Sequence, residues 1–174
     1  MLSAPITTRN FPRQRKVNYI VNALALIRPI AQHELPDLLA LYEYFTPDNA
    51  ISPEAVTAVW EQICADDKLY YFGAEVDGKL VSTCNLTLIP NLTHQGRPYG
   101  LIENVVTHPD YRKRGLASQV LDAALKTAWA QNCYKVMLLT GSKLESTLQF
   151  YENAGFTRKD KTGFVARPLD LQAK

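Results

Sequence analysis

Hydrophobic residues recur with the period of an α-helix in four segments of the chain. In residues 34–45, the apolar side chains repeat every three or four positions and would share one face of a helix. Ser52 followed by Pro53 is typical of a helix start, with the serine as N-cap and the proline in the first turn. The same periodicity predicts four helices: 34–45, 53–66, about 115–131 and 144–154.

Segments rich in β-branched and aromatic residues alternate with these helices and predict the strands. Asp77-Gly78 separates two of them and is a strong signal for a β-hairpin. Because antiparallel strands come first and strand–helix–strand units follow, we expect a mixed α/β (α+β) domain with helices on both faces of one sheet. The predicted strands are 24–30, 69–76, 79–89, 99–107, 134–139 and a terminal hairpin around 156–167, which makes six to seven strands flanked by about four helices.

Composition and charge fit one globular domain with a basic extension in front of it. The chain has 174 residues, of which 47% are hydrophobic, and no apolar run approaches the roughly 20 residues that a membrane span needs. Residues 1–28 contain five basic residues, and the first acidic residue is Glu34. We therefore expect residues 1–26 to be a peripheral basic extension and residues 27–174 to be the functional domain. A nucleic-acid contact by the extension is the alternative, but no DNA- or RNA-reading motif accompanies it.

Cysteine and histidine residues give no sign of a metal site or a disulfide framework. The three cysteines are odd in number and scattered, and the three histidines are equally scattered. This usage is typical of a reduced, cytoplasmic protein with buried thiols and no metal. The residues concerned are Cys64, Cys84, Cys133, His33, His94 and His108.

A cluster of basic residues precedes the longest predicted helix. The helix opens at Gly115 without a Ser, Thr, Asp or Asn to cap it, and Arg112, Lys113 and Arg114 crowd that end. Positive side chains oppose the helix dipole there, whereas an anion would be favoured. Gly115 and the small Ala117 let a ligand approach the backbone closely. The segment therefore predicts a phosphate or pyrophosphate site, with a solvated basic turn as the plain alternative.

Residues 102–118 (IENVVTHPDYRKRGLAS) resemble the acyl-CoA-binding motif of the GNAT superfamily of N-acetyltransferases. Arg112, Gly115 and Ala117 match its Arg/Gln-x-x-Gly-x-Gly/Ala core position for position. Residues 148–156 (LQFYENAGF) resemble the second motif of the family, and the similarity extends from about Ile27 to Arg167. The resemblance implies a mostly antiparallel sheet with a splayed pair of strands, opened by a bulge near residues 104–106.

The resemblance also implies how acetyl-CoA would be held. The amides of Val105 and Val106 would face the thioester and pantetheine arm, and a cationic loop would hold the pyrophosphate. Leu144 stands where the family usually carries an Asn, so this contact with the pantetheine arm would be lost or taken by Ser142 or Ser146. The remaining cofactor-binding residues would be Arg112, Lys113, Arg114, Gly115, Leu116, Ala117 and Ser118.

Two residues are candidates for proton transfer. Tyr151 would protonate the leaving thiolate, because a phenol remains protonated at neutral pH; packing is the alternative. Glu103 would act as the base, directly or through water. It shares a strand face with Leu101 and Val105, which predicts burial, although an exposed or paired carboxylate is equally consistent with the sequence.

The resulting hypothesis is an N-acetyltransferase that transfers an acetyl group from acetyl-CoA to a primary amine of a small molecule by direct attack. A catalytically idle acyl-CoA sensor and an enzyme acting on a protein or peptide amine are the alternatives. The resemblance leaves a homodimer open, and no residue argues for one. In this architecture the acceptor side would be formed by the first two helices and loop 90–98, which carry Tyr42, Tyr44, Asp48, Asn49 and Arg97.

Overall fold

A computed structural model describes residues 20–22, 25–46 and 52–168. Within these residues, one sheet carries helices on both faces. Helices and strands follow one another as β1 Ile20–Asn22, β2 Ala25–Pro29, α1 Leu35–Tyr42, α2 Pro53–Ala65, β3 Leu69–Val76, β4 Lys79–Ile89, β5 Tyr99–Thr107, α3 Leu116–Ala130, β6 Val136–Leu138 and α4 Glu145–Asn153.

Neighbouring strands in the sheet are also consecutive in the chain. The order is β1-β2-β3-β4-β5-β6, with antiparallel pairing up to β5 and a parallel pair between β5 and β6. The hairpin between β3 and β4 turns at Asp77 and Gly78, whose φ angles are 51° and 74°. These positive angles are those of the tight turn that the Asp-Gly pair predicts. The parallel crossover is made by α3, which packs against β3, β4 and β5.

The six to seven strands predicted from the sequence do not all form. Five of them form, whereas the terminal hairpin around 156–167 does not, since residues 157–168 contain no strand and are exposed. Phe164, for example, is 91% exposed. A strand pair without a buried face gains little from packing, so nothing stabilises this hairpin. The short β1 was not predicted, and residues 1–19 of the predicted extension lie outside the described residues.

The core has two parts, one on each face of the sheet. On one face, side chains of β3, β4 and β5 pack against α3, with Phe72 and Leu121 completely buried. On the other face, α1 and α2 cover a smaller cluster that includes Leu38, Trp60 and Val106. The indole of Trp60 donates a hydrogen bond to the Gln32 carbonyl at 2.8 Å, which ties α2 to the turn before α1.

The expectation of buried thiols holds for two of the three cysteines. Cys84 and Cys133 are buried, whereas Cys64 is exposed, so this part of the prediction was wrong. Cys64 lies in the last turn of α2, beyond Ile63, which is the residue that packs on the core there. Within the described residues, no helix is both long and apolar enough to cross a lipid bilayer.

An ion-pair network joins β2, β3 and the turn that leads into α1. The Arg28 guanidinium donates to both carboxylate oxygens of Glu34, at 2.5 and 2.6 Å, and to the Glu75 carboxylate at 2.6 Å. Glu34 also accepts the Ala31 backbone amide at 2.7 Å. Since the Arg28 bond stabilises the charged carboxylate, it lowers the pKa of Glu34 despite the opposing effect of burial. The network thus fixes where α1 starts relative to the sheet.

Replacing Glu34 by Gln should destabilise the fold in a pH-dependent manner. At neutral pH we expect the free energy of unfolding to fall by about 2 kcal/mol, the usual scale for hydrogen bonds to a charged group. Because the folded-state pKa of Glu34 is lowered, its contribution is present above the pKa of the unfolded state and is lost as pH falls through the folded value. Urea unfolding across acidic pH should therefore show the two proteins converging.

Glu145→Gln is the matched control, since Glu145 pairs with Arg158 on the surface. Its effect should be much smaller and sensitive to salt. Equal losses in the two variants would contradict the structural role given to Glu34.

Candidate active site

A β-bulge interrupts the pairing of β4 with β5. Thr83 lies opposite Val106 and Asn85 lies opposite Glu103, so β5 contains one residue more than β4 over this stretch. Asn104 takes up the extra length with a φ angle of 54°, in the left-handed region that Asn tolerates better than most residues. After the bulge, Val105 packs towards α3 and Val106 packs towards α1 and α2. The bulge predicted near residues 104–106 is therefore present.

The parallel pair separates at the same place. Pairing between β5 and β6 ends at Ile102 and Leu138, whereas β5 continues to Thr107. A cavity of about 420 Å³ lies beyond this point, bounded by the end of β5, the start of α3 and one side of α4. Its lining residues are Tyr44, Phe45, Val105, Val106, Thr107, Tyr111, Arg112, Lys113, Gly115, Leu116, Ala117, Ser118, Thr147, Phe150 and Tyr151.

The turn between β5 and α3 is shaped by local hydrogen bonds. The His108 ring accepts the Asp110 amide at 3.3 Å, and residues Pro109–Tyr111 form one turn of 3₁₀ helix. The Arg112 Nε donates to the Thr107 carbonyl at 3.2 Å. Lys113 and Gly115 then adopt φ angles of 60° and 75°, so the backbone coils tightly before the helix begins.

The first turn of α3 has the properties expected of an anion site. Gly115 is its N-cap and provides no side-chain hydrogen bond, and no acidic residue lies in that turn. Arg112 and Lys113 line the cavity and are exposed. Unpaired helix amides, the helix dipole and two cationic side chains therefore face one space, which favours a multiply charged anion such as a pyrophosphate.

Two of the predicted site residues do not line the cavity. The Arg114 guanidinium folds back, donating to the Asp110 carbonyl at 3.0 Å and lying 4.9 Å from the centre of the Tyr111 ring. Glu103 is exposed, so the expectation that it is buried was wrong. The reason is that β6 ends opposite Ile102 and leaves Glu103 without a neighbouring strand on that side.

Tyr151 lines the cavity from α4. Its ring contacts Phe150 and Phe156, with centroids 4.9 and 6.3 Å away. Burial raises the pKa of Tyr151, and the nearby negative charge of Glu103 raises it further. The phenol is therefore protonated at neutral pH, and the two candidate proton-transfer residues are close enough to interact electrostatically.

A comparison with known protein families adds to this geometry. The model of the Acetyltransferase (GNAT) family matches residues 38–156, more than half of the chain and all of the cavity lining. The chain belongs to the GNAT acetyltransferase family.

Individual acetyltransferases are similar to this chain in sequence or in structure. A structure from Agrobacterium tumefaciens str. C58, named a candidate acetyltransferase, is 41% identical, has a TM-score of 0.77, and the match covers 82% of this chain and 99% of that one. The glucosamine 6-phosphate N-acetyltransferase of Trypanosoma brucei brucei is 34% identical over 84 residues, which are 48% of this chain and 55% of the relative. This chain spans about half the length of that curated relative.

The likeness also extends to a more distant GNAT fold. The structure of glucosamine-6-phosphate N-acetyltransferase from Arabidopsis thaliana has a TM-score of 0.73 at 21% identity, and the match covers 83% of this chain and 97% of that one. At this level of identity the match shows the shared fold alone.

Several residues of the GNAT cavity were missed by the sequence analysis. Thr147 lies one helical turn before Tyr151 on α4, so the i, i+4 spacing could have identified it. Phe150, next to Tyr151, lines the same wall. The apolar spacing of residues 34–45 predicts that Phe45 packs on a helix face, whereas α1 ends at Tyr42 and Phe45 lines the cavity.

The residues predicted for the acceptor side do not all lie at the cavity. Tyr44 lines the cavity, and its hydroxyl lies 3.0 Å from the His108 Nε2, which joins the end of α1 to the turn before α3. The Arg97 guanidinium instead donates to the carbonyls of Asn132 and Cys133, so it ties two loops together and is not available to an acceptor. Asp48 and Asn49 lie outside the described residues.

The N-terminus of α4 is held by Ser142 and not by the residue at position 144. Leu144 is the N-cap and is 68% exposed, with no side-chain cap. The Ser142 hydroxyl instead accepts the Leu144 amide at 3.3 Å and donates to the Thr147 hydroxyl at 3.2 Å. Ser142 therefore holds the start of α4 and orients Thr147, a cavity residue.

The buried Cys84 thiol is poorly suited to act as a nucleophile. Burial raises the pKa of the Cys84 thiol to about 12, so it remains protonated, and its sulfur contacts the Val120 carbonyl on the α3 side. Among the described residues, no group of three or more His, Cys, Asp or Glu side chains could hold a metal ion.

The bulge predicts an unusual order of stability for variants of Asn104. Asn104→Gly should be more stable than Asn104→Ala by about 1 kcal/mol, because alanine is strained in the left-handed region whereas glycine is not. Both variants lack the side-chain amide, so their difference reports the backbone alone. Urea unfolding measures it.

Thr87 on β4 supplies the control, because it has ordinary extended backbone. There the order should reverse, and Thr87→Gly should be the less stable variant. The same order at both positions would contradict the left-handed conformation of Asn104.

Proposed function

We propose that this GNAT protein is an acetyl-CoA-dependent N-acetyltransferase that acts on a primary amine of a small molecule. The observation that carries the proposal is the single cavity into which the end of β5, the start of α3 and Tyr151 all converge. These are the three parts that acyl transfer from coenzyme A requires: a place for the thioester, a site for the pyrophosphate and a proton donor for the thiolate.

The residues present fit acetyl-CoA as the donor. The first turn of α3, from Leu116 to Ser118, together with Arg112 and Lys113, supplies amides and cations for the pyrophosphate. The wall formed by Val105, Val106 and Phe150 is largely apolar and suits the pantetheine arm. The absence of a cap at Gly115 is consistent with this assignment, since a bound phosphate would take the place of the cap.

Chain residues would assist a direct attack of the amine on the thioester carbonyl. Glu103, exposed beside the splayed strands, would accept a proton from the ammonium group, directly or through water. The amine nitrogen then forms a bond to the carbonyl carbon, and backbone amides at Val105–Val106 would stabilise the oxyanion. As the carbon–sulfur bond breaks, Tyr151 would donate its proton to the thiolate, and the nitrogen would lose its second proton, through water, to the Tyr151 phenolate, giving the neutral amide and free coenzyme A.

Two proteins similar to this chain are named for the acetylation of an aminosugar, and this supports a small-molecule acceptor. The curated relative from Trypanosoma and the structure from Arabidopsis both carry names of glucosamine 6-phosphate N-acetyltransferases. The idle-sensor alternative is disfavoured by Tyr151, because a binding module does not need a protonated phenol in the wall of its cavity.

Replacing Tyr151 by Phe tests the proposed acid. We expect kcat for thiol release from acetyl-CoA to fall by about 10²- to 10⁴-fold, the usual contribution of general acid catalysis, while the Kd of coenzyme A stays unchanged.

In the unmodified protein, the raised pKa of Tyr151 keeps the acid protonated as pH rises. The ordinary pKa of tyrosine is about 10. Any loss of kcat that is due to deprotonation of Tyr151 should therefore occur only above pH 10.

Tyr134→Phe is the matched control, because Tyr134 stacks on His94 outside the cavity. It should retain full activity. If Tyr151→Phe also retained kcat, another group would be the acid. If no amine in a broad panel released thiol although coenzyme A bound, the sensor alternative would be favoured.

Replacing Ser118 by Asp tests the anion site. Ser118 is exposed in the first turn of α3 and lines the cavity. A carboxylate there suits the helix dipole, so stability should stay equal or rise by about 0.3–1 kcal/mol. The same charge would repel a pyrophosphate, so the Kd of coenzyme A measured by calorimetry should rise at least about tenfold.

Ala55→Asp makes the same change in the first turn of α2, away from the cavity. It should leave the Kd of coenzyme A unaltered. If Ser118→Asp bound coenzyme A as tightly as the unmodified protein does, the pyrophosphate would have to bind elsewhere.

A further inference from the structure

One polar side chain in the wall of the cavity comes from the α1 side of the sheet. Tyr44 follows α1, and its backbone amide donates to the Leu41 carbonyl at 3.2 Å. The residue lines the cavity and is 49% exposed, so a ligand in the cavity can reach it. Its hydroxyl lies 3.0 Å from the His108 Nε2, and the two rings meet edge to face with centroids 4.9 Å apart. Within the described residues, this hydroxyl has no second hydrogen-bond partner.

The hydrogen bond between Tyr44 and His108 has a fixed direction. The backbone amide of Asp110 donates to the His108 Nδ1 at 3.3 Å, so this nitrogen carries no proton and the neutral ring is protonated on Nε2. A doubly protonated ring would carry a proton on Nε2 as well. In either state Nε2 donates and the Tyr44 oxygen accepts. The Tyr44 hydroxyl therefore keeps its own proton for a ligand in the cavity.

A hydroxyl in this state favours an anionic oxygen as its partner. An ammonium group has only N–H donors and cannot accept the Tyr44 proton, whereas phosphate oxygens accept hydrogen bonds strongly. A hydroxyl that already accepts one hydrogen bond is polarised and donates more strongly. Although Tyr44 was expected on the acceptor side, its hydroxyl is thus better suited to the anionic acyl donor.

A cationic side chain lies next to this hydroxyl. His108 directly follows Thr107, whose carbonyl accepts the Arg112 Nε at 3.2 Å. The Tyr44 hydroxyl and the Arg112 guanidinium are therefore anchored on consecutive residues at the end of β5, and both side chains line the cavity. The Asp110 carboxylate is 84% exposed, so water screens its charge. The two anchored groups can bind oxygens of the same anion.

His108 is itself held by the turn that carries the basic residues. It is the N-cap of the 3₁₀ turn Pro109–Tyr111, and its backbone amide donates to the Val81 carbonyl of β4 at 2.9 Å. The Tyr111 ring also meets the imidazole edge to face, with centroids 5.5 Å apart. A ring held at several points has little freedom, so it fixes the Tyr44 hydroxyl relative to the turn.

From these observations we infer that Tyr44 is a further binding residue for the acyl donor, with its hydroxyl donating to an oxygen of the coenzyme A pyrophosphate, and that His108 positions it. The inference rests on the proposed acetyltransferase function. It adds a contact from the α1 side to a site otherwise formed by α3 and the turn before it. The pyrophosphate would then be held by elements that cover opposite faces of the sheet.

Tyr44→Phe removes the hydroxyl and keeps the ring. We expect the Kd of coenzyme A, measured by calorimetry, to rise at least about tenfold, because a hydrogen bond to a charged group is lost. The melting temperature should change little, since water can take the place of the hydroxyl at this half-exposed position. An unchanged Kd would overturn the inference.

Tyr99→Phe is the matched control. Tyr99 lies at the start of β5 and is not part of the cavity lining, so its replacement should leave the Kd of coenzyme A unaltered. An equal rise in both variants would mean that the loss of any tyrosine hydroxyl weakens binding, and it would overturn the inference.

Donor analogues locate the oxygen that Tyr44 contacts. 3′-Dephospho-coenzyme A retains the pyrophosphate, so its Kd should rise by the same factor in Tyr44→Phe. S-Acetylpantetheine lacks every phosphate group, so its kcat/KM should be the same in Tyr44→Phe and in the unmodified protein. Loss of the effect with the dephospho form, or an equal effect with S-acetylpantetheine, would overturn the pyrophosphate contact. A change confined to the KM of the acceptor amine would overturn it as well.

Two variants of His108 separate positioning of Tyr44 from support of the turn. An Asn side chain reaches as far as Nδ1 and can accept the Asp110 amide, but it does not reach Tyr44. A Gln side chain reaches as far as Nε2 and can donate to Tyr44, but it leaves the Asp110 amide without its acceptor. His108→Asn should therefore raise the Kd of coenzyme A more than His108→Gln does, and it should add nothing to Tyr44→Phe. The opposite order, or additive effects, would overturn the positioning role.

Turnover separates this inference from the proposed function. Coenzyme A binding that depends on Tyr44, with no turnover of any amine, would support the inference and overturn the acetyltransferase proposal. Turnover with donor binding that does not depend on Tyr44 would overturn the inference and leave the acetyltransferase proposal intact. Failure of the unmodified protein to bind coenzyme A would overturn both.

Discussion

The bulge in β5 is the constraint on which the site depends. Because of one extra residue, Asn104, Val105 and Val106 each pack on the face of the sheet opposite to the one that regular alternation from Glu103 would give. The same irregularity coincides with the end of β6 pairing at Ile102, and the gap that results holds the cavity. The bulge and the end of the parallel pairing thus fall on the same stretch of β5, next to the cavity.

β5 borders both sides of the site and separates the basic turn before α3 from the cluster beneath α1 and α2. Towards α3 the chain offers helix amides, Arg112 and Lys113. Towards α1 and α2 it offers a largely apolar cluster. The Tyr44–His108 contact joins the end of α1 to the turn before α3, so the two sides are mechanically linked at the mouth of the cavity.

Local signals identified much of this arrangement from the sequence. The bounds of β3, β4 and β5 were predicted to the residue, because these strands are long, β-branched and ended by Gly or Pro turns. The start of α3 without a side-chain cap, next to the basic turn, was likewise predicted from local sequence and is present, whereas the anion bound there stays a prediction. The exposure of Glu103 and the role of Phe45 could not be predicted, since both depend on where a neighbouring element ends. The terminal hairpin failed because a strand-like composition does not supply a surface to pack on.

The site carries strain and unpaired atoms that the rest of the fold must support. A left-handed Asn104 and each buried side-chain atom of Tyr42, Thr83 and Asn85 that has no hydrogen-bond partner among the described residues cost roughly 1–3 kcal/mol, a large fraction of the 5–15 kcal/mol that stabilises a typical domain. The cores on both faces of the sheet offset this cost. The ion-pair network of Arg28, which fixes α1 over the sheet, contributes as well. More favourable residues at these positions would be expected to raise stability.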